Sequence, residues 1–208
     1  MLIGSIDIGI RNIGFCVYDS ETSAVKVLEI IDLLHVPGCT KLFNFGDQSI
    51  VFLVKRVIEQ RKELFASCAI VGVEKQMTRR MVLIQFAFEC LLDEITTVVQ
   101  ISPRSVKKLF DTSRGNHAKN KIAAIACLYT LLDKKGMEEV AKFSKKDDIA
   151  DAILQAMFIA HAYDALLDKK IKECSIPTKV KRKRKRRAST KKKKKTKNKT
   201  KKQKFFVE

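Results

Sequence analysis

The N-terminal third of the chain is built from short apolar runs separated by polar turns. Leu2 to Ile8, Ile13 to Tyr18 and Val25 to Leu34 read as three strands, divided by Gly9-Ile10-Arg11-Asn12 and by Asp19-Ser20-Glu21-Thr22-Ser23. Connections this short predict an antiparallel meander. His35 to Gly46, with Pro37, Gly38, Asn44 and Gly46, reads as a loop. From Asp47 to about Phe65 the period becomes helical. Ile50, Leu53, Val54, Val57 and Ile58 lie on one face, and Lys55, Arg56, Glu59 and Arg61 lie on the other.

A strand at Ala69 to Val73, a helix from Thr78 to Glu94 and a strand at Thr97 to Ile101 follow. A short helix opens at Ser102-Pro103, with Ser as N-cap and Pro at the first helical position. Helices at His117 to Asp133 and Ser144 to Lys170 complete the pattern. The order predicts an α/β fold, a five-stranded mixed sheet flanked by helices. The segment 78–94 carries more apolar residues than one stripe needs: Met81, Val82, Leu83, Ile84, Phe86, Ala87, Phe88, Leu91 and Leu92. Such a helix needs two partners, either a sheet and a neighbouring helix or the core and a second copy of the chain. The pattern alone leaves both open.

Beyond Pro177 apolar periodicity stops until Phe205-Phe206-Val207, which predicts a domain over 1–172 and a disordered, basic low-complexity tail over 173–208. The tail changes how the net charge of +19 is read. Residues 179–208 hold 18 Lys or Arg and one acid, so they carry +17 and leave +2 for residues 1–178. The folded part is nearly neutral, and a nucleic acid must be held there by a local basic rim and cations. No apolar run approaches the roughly 18 residues of a membrane span, so an intracellular, membrane-free protein is expected. The six cysteines form no CxxC and no Cys/His pair at zinc-finger spacing, and they read as reduced, mostly buried thiols.

Candidate chemistry appears where acids interrupt apolar strands. Asp7 ends the first strand and Glu74 follows the fourth. A carboxylate at the edge of a buried strand is costly unless it is paired or bound to a cation. In Ser144-Lys145-Lys146-Asp147-Asp148-Ile149-Ala150-Asp151, Ser144 as N-cap would place Asp147 where it can bond back to the cap. Asp148 and Asp151 then remain as an i, i+3 pair about 60° apart on the helix, beside the stripe of Ile149, Ala152, Ile153 and Ala156. Four oxygen donors without His or Cys suit Mg²⁺, with Mn²⁺ able to substitute. Two such ions about 4 Å apart are the usual apparatus of phosphodiester hydrolysis. Basic residues recur beside each acidic segment: Lys75, Arg79 and Arg80; Arg104, Lys107 and Lys108; Arg114, His117, Lys119 and Lys121; and Lys145 and Lys146. They are candidate DNA-binding residues, contacting phosphate.

The segments Ser5-Ile6-Asp7-Ile8-Gly9 with Asn12-Ile13-Gly14 after it, Val71-Gly72-Val73-Glu74-Lys75-Gln76 and Asp147-Asp148-Ile149-Ala150-Asp151-Ala152 together resemble the three motifs of the RuvC-type Holliday junction resolvases, and the poxvirus resolvases most nearly. The resemblance covers about residues 2–165. It implies an RNase H-like fold, with Asp7, Glu74, Asp148 and Asp151 as catalytic metal ligands. It also implies a lysine at the scissile phosphate, Lys107 first and Lys119 second. Further implications are cleavage of branched DNA and a homodimer formed through the helix at residues 78–94. Poxvirus-like origin implies cytoplasmic viral replication sites, while Lys181 to Arg187 has the composition of a nuclear-localisation run.

Three other readings compete. One is an RNase H-like nuclease with another substrate, such as RNA–DNA hybrids. Another is a noncatalytic basic DNA-binding protein in which the acids are structural. The third is an actin-like or sugar-kinase-like ATPase, whose first strand also ends Asp-x-Gly. That last class needs a second Gly-rich phosphate loop, and the eight glycines here include no Gly-Gly pair.

Overall fold

The computed structural model describes residues 1–39 and 47–163. The expected tail at 173–208, the domain boundary before it, the end of the last helix beyond 163 and most of the 35–46 loop lie outside the described residues.

Three strands, β1 (Leu2–Asp7), β2 (Ile13–Asp19) and β3 (Ala24–Ile31), form the antiparallel meander. Strand β4 (Ile70–Glu74) joins β1 in parallel, and β5 (Thr97–Ile101) joins β4 in parallel, giving the order β3-β2-β1-β4-β5. This is the expected mixed five-stranded sheet, with β1 at its centre, antiparallel to β2 on one edge and parallel to β4 on the other.

Side chains alternate across each strand, and the alternation sorts the interior into two cores. Ile6, Ile13, Phe15, Val17, Val71 and Val73 face α1 (Asp47–Gln60) and the helix at Arg79–Leu92, named α3. Ile3, Cys16, Tyr18, Ile70 and Ile101 face the opposite layer, made by α4 (Pro103–Leu109), α5 (His117–Leu131), α6 (Lys134–Ala141) and α7 (Lys146–Tyr163). By the same parity Asp7 and Glu74 point to the α7 side.

The structure departs from the predicted elements in three places. The third strand stops at Ile31, where Asp32 accepts the Leu34 amide at 2.8 Å and opens a short 3₁₀ turn. The helix expected over 47–65 breaks at Arg61, whose backbone leaves helical geometry (φ −123°, ψ 19°) and whose guanidinium pairs with Glu29 of β3 at 2.7 Å; α2 (Lys62–Ser67) continues beyond the break. Helix α6 was not expected at all. Asp133 caps it by accepting the Gly136 amide at 2.7 Å. The Ser102 hydroxyl makes no cap bond to α4, although Pro103 occupies its first position as expected.

Helix α3 is buried on one side only. Ile84, Ala87, Phe88 and Leu92 enter the core, while Phe86 is 61% exposed and Val82 41%. Met81, Leu83 and Leu91 are partly buried against the same core.

Candidate active site

The site follows from where three backbone segments end. Ile6 pairs with Val73 across the parallel β1–β4 ladder, so Asp7 and Glu74 stand at neighbouring C-terminal strand ends. The C-terminal edge of a parallel pair is where α/β folds commonly place ligands. Helix α7 is held over this edge by two close contacts. The buried Ser5 hydroxyl donates to the Ala152 carbonyl at 2.6 Å. At Gly14, the partner of Asp7 in β2, a Cβ would sit 2.5 Å from the Asp148 carbonyl oxygen. Only a residue without a side chain lets the first turns of α7 approach this closely. The aspartates of that helix are thereby brought to the strand-end acids.

The electrostatics record this convergence. Asp7, half-buried yet densely surrounded by protein, has its carboxyl pushed well above the usual range by burial, then by Glu74 and Asp151, with Asp148 adding to it. Burial pushes Asp151 up to about 6 against the pull of the Lys107 ammonium, with Glu74 and Asp148 raising it further. Burial and Asp147 raise Asp148, opposed by Lys121 and Lys145. A cluster of acids that resist ionisation is electrostatically short of positive charge.

The four predicted acids thus form one neighbourhood, yet among the described residues no three acid, imidazole or thiol side chains are drawn to the spacing of ligands around one ion. Neighbouring amides hold two of the carboxylates. Gln155 Nε2 donates to Asp7 Oδ1 at 3.2 Å, and Gln76 Nε2 donates to Glu74 Oε2 at 2.5 Å. A divalent cation suits the donor set on chemical grounds: the donors are oxygens only, enclosed by protein, and their mutual repulsion is what such an ion relieves.

The start of α7 differs from the expected capping arrangement. The helix opens at Lys146, and the Ile149 amide reaches the Lys145 carbonyl at 3.4 Å, one residue later than a Ser144 cap requires. Asp147 still has a structural task, but its partner is Lys121 of α5. Burial alone would raise the Asp147 carboxyl; the Lys121 hydrogen bond brings it below its usual value. Lys121, expected in the basic rim, pairs instead with Asp147, and Gln76 of the second motif holds Glu74; Gln155 is the residue of the site that the sequence did not single out. Gln76 is tied back to α3, its backbone N–H donating to Gln85 Oε1 at 2.7 Å.

The basic candidates are unequally placed. Arg104, Lys107 and Lys108 line an open cavity of about 540 Å³ with Asp111 and Ser113, and Lys107 acts directly on Asp151. Lys75, Arg79 and Arg80 are exposed after β4, Lys145 is exposed just before α7, and Lys119 is exposed in the first turn of α5. Arg114 is committed within its own loop, its Nη1 lying 3.1 Å from Asp111 Oδ1.

This architecture is shared with solved resolvases. The structure of the yeast mitochondrial Holliday junction resolvase Ydc2 is similar over 83% of this chain and 84% of that one, at 17% identity and TM-score 0.59. Fowlpox virus resolvase bound to its substrate Holliday junction DNA is similar over 78% of this chain and 99% of that one, at 18% identity and TM-score 0.55. The similarity establishes the RNase H-like fold. Among curated proteins none matches significantly. The family model described as poxvirus A22 protein matches residues 1–164, and the chain therefore belongs to that family.

Proposed function

We propose that the protein resolves Holliday junctions as a divalent-metal-dependent endonuclease. The reading is carried by the gathering of Asp7, Glu74, Asp148 and Asp151 where two parallel strands end beneath α7, in a chain of the poxvirus A22 family. The two junction resolvases of like fold support the substrate. In the finer reading, Mg²⁺ is the working cation, replaceable by Mn²⁺, with two ions per site. The four acids are its ligands; bound there, the metal would supply an activated water and charge stabilisation for phosphodiester hydrolysis.

The chain's own residues divide the remaining work. Lys107, whose charge pulls against the raised Asp151 carboxyl, would meet the anionic phosphate at the edge of the acid cluster. Arg104 and Lys108, beside it on α4, would hold backbone phosphates of the junction arm, with Lys75, Arg79, Arg80, Lys119 and Lys145 extending the rim and Arg114 contributing least. The exposed Val82 and Phe86 on α3 would pack against a second copy, so that two sites cut opposing strands of one junction. Membership of a poxvirus family favours cytoplasmic viral replication sites, and a nuclear address rests on the composition of residues 181–187 alone. No helix among the described residues is long and apolar enough to cross a membrane.

The test is cleavage of a four-way junction, a flap, an RNA–DNA hybrid and linear duplex, each with Mg²⁺ and with chelator. Metal-dependent, paired nicking of the junction in preference to the others is expected. Equal rates on all four would sink junction selectivity, and unchanged nicking by both Asp148→Asn and Asp151→Asn would return the acids to a structural role.

A further inference from the structure

Gln155 occupies an unusual position for an amide. It lies on α7 at four residues from Asp151 and seven from Asp148, the spacing that keeps all three on one side of the helix. It is only 2% exposed, in a helix whose neighbouring positions Ile153, Leu154, Ala156 and Met157 are all core. A buried glutamine among alanines and aliphatics costs stability unless its polar atoms are satisfied. One is: Nε2 donates to Asp7 Oδ1 at 3.2 Å. The other is not. Oε1 is buried and has no hydrogen-bond partner among the described residues. With Asp7 ionised, as a bound cation would hold it, exchanging the amide's oxygen and nitrogen would not repair this, because it would set a carbonyl oxygen against a carboxylate oxygen.

A buried acceptor beside an acid cluster is suited to donors that arrive with a ligand. A hydrated hard cation brings such donors, since Mg²⁺ and Mn²⁺ keep several of their waters when bound by few carboxylates. We propose that Gln155 is a positioning residue of the cation site. Its amide nitrogen orients the Asp7 carboxylate, and its carbonyl oxygen accepts a hydrogen bond from water in the cation's coordination shell. This rests on the reading of the acids as a metal site. Outer residues that orient a ligand in this way commonly affect affinity by 10- to 100-fold.

The test measures Mn²⁺ binding by the full chain without DNA, by titration calorimetry and by the water-proton relaxation of bound Mn²⁺. Gln155→Met keeps the length and removes both polar atoms; Gln155→Asn keeps the amide but withdraws it by one methylene. Each variant is first checked for a cooperative melt in chelator. In the variants that fold, Mn²⁺ affinity should fall about tenfold or more and the relaxation per bound ion should change. Affinity within twofold of the parent in a folded variant overturns the proposal for Gln155 while leaving the metal site standing. Loss of the cooperative melt in both variants would make Gln155 a folding residue and overturn it as well. Failure of the parent itself to bind Mn²⁺ overturns the metal-site reading, and the proposal with it.

Discussion

Asp7 and Gly14 face each other across the β1–β2 ladder, and the missing side chain at Gly14 is what admits the Asp148 carbonyl of α7 to the sheet. The approach of the third acidic segment to the first therefore depends on a glycine with no side chain to offer to the chemistry. Gly14→Ala should cost about 1–3 kcal/mol through overpacking against rigid backbone, and it should displace the first turns of α7. Urea denaturation checks the stability, and junction cleavage should fall at least about tenfold, since a displacement near 1 Å at a catalytic constellation can cost 100-fold.

Replacing Asp7 or Asp151 with Asn should reduce the cleavage rate by at least about 100-fold, the scale of losing one preorganised electrostatic group. Junction binding in gel-shift assays should be retained. Because both carboxyls resist ionisation in the fold, the same variants should be as stable as the parent or more so in chelator at neutral pH.

Metal-free stability should fall as pH rises. A carboxyl whose folded pKa exceeds its unfolded value holds its proton more tightly in the native state, so its contribution is complete below the unfolded value and is lost as pH climbs through the folded one. Asp151, raised from 3.8 to about 6, sets this window at about pH 4 to 6, and Asp7, also raised, extends it upward. Thermal melts in chelator across that range should show the decline. Asp151→Asn should flatten it, and added Mg²⁺ should raise the melting temperature at neutral pH.

Lys107→Ala should slow cleavage by about 100-fold while weakening junction binding far less. Lys107→Arg should restore part of the rate. Single-turnover kinetics separates the two effects, and equal losses in binding and rate would place Lys107 in the general phosphate rim instead.

Phe86→Glu should shift sedimentation toward a monomer, because a charge replaces an exposed aromatic at the centre of the α3 face. Dissociation should strengthen about 30-fold or more, the scale of a lost interface anchor of about 2 kcal/mol. Paired cuts should become single nicks.

Much of this protein is legible in local pattern. Strand alternation and helical period located the five strands and most helices, since those signals lie within a few residues of one another. Asp7 and Glu74 stood out because each interrupts or ends an apolar run, and Asp148 and Asp151 because their spacing is a helical one. Gly14 stood in the sequence only as part of the first motif, with no packing role attached to it. Its role needs the helix that rests on it. The short helix α6 escaped notice because a glycine in its first turn weakens the helical signal, and the break at Arg61 is tied to Glu29 on another element.

The sequence by itself determined the acids, their oxygen-only chemistry, the family motifs and the concentration of positive charge in the last thirty residues. Only the tertiary structure decided which neighbours hold those acids. Lys121 meets Asp147 across 26 residues and Gln155 meets Asp7 across 148. Such pairs leave no periodic trace in the chain, because the distance between their partners is set by how α5 and α7 pack against the sheet. Periodicity assigns a side chain to a face; packing assigns it a partner.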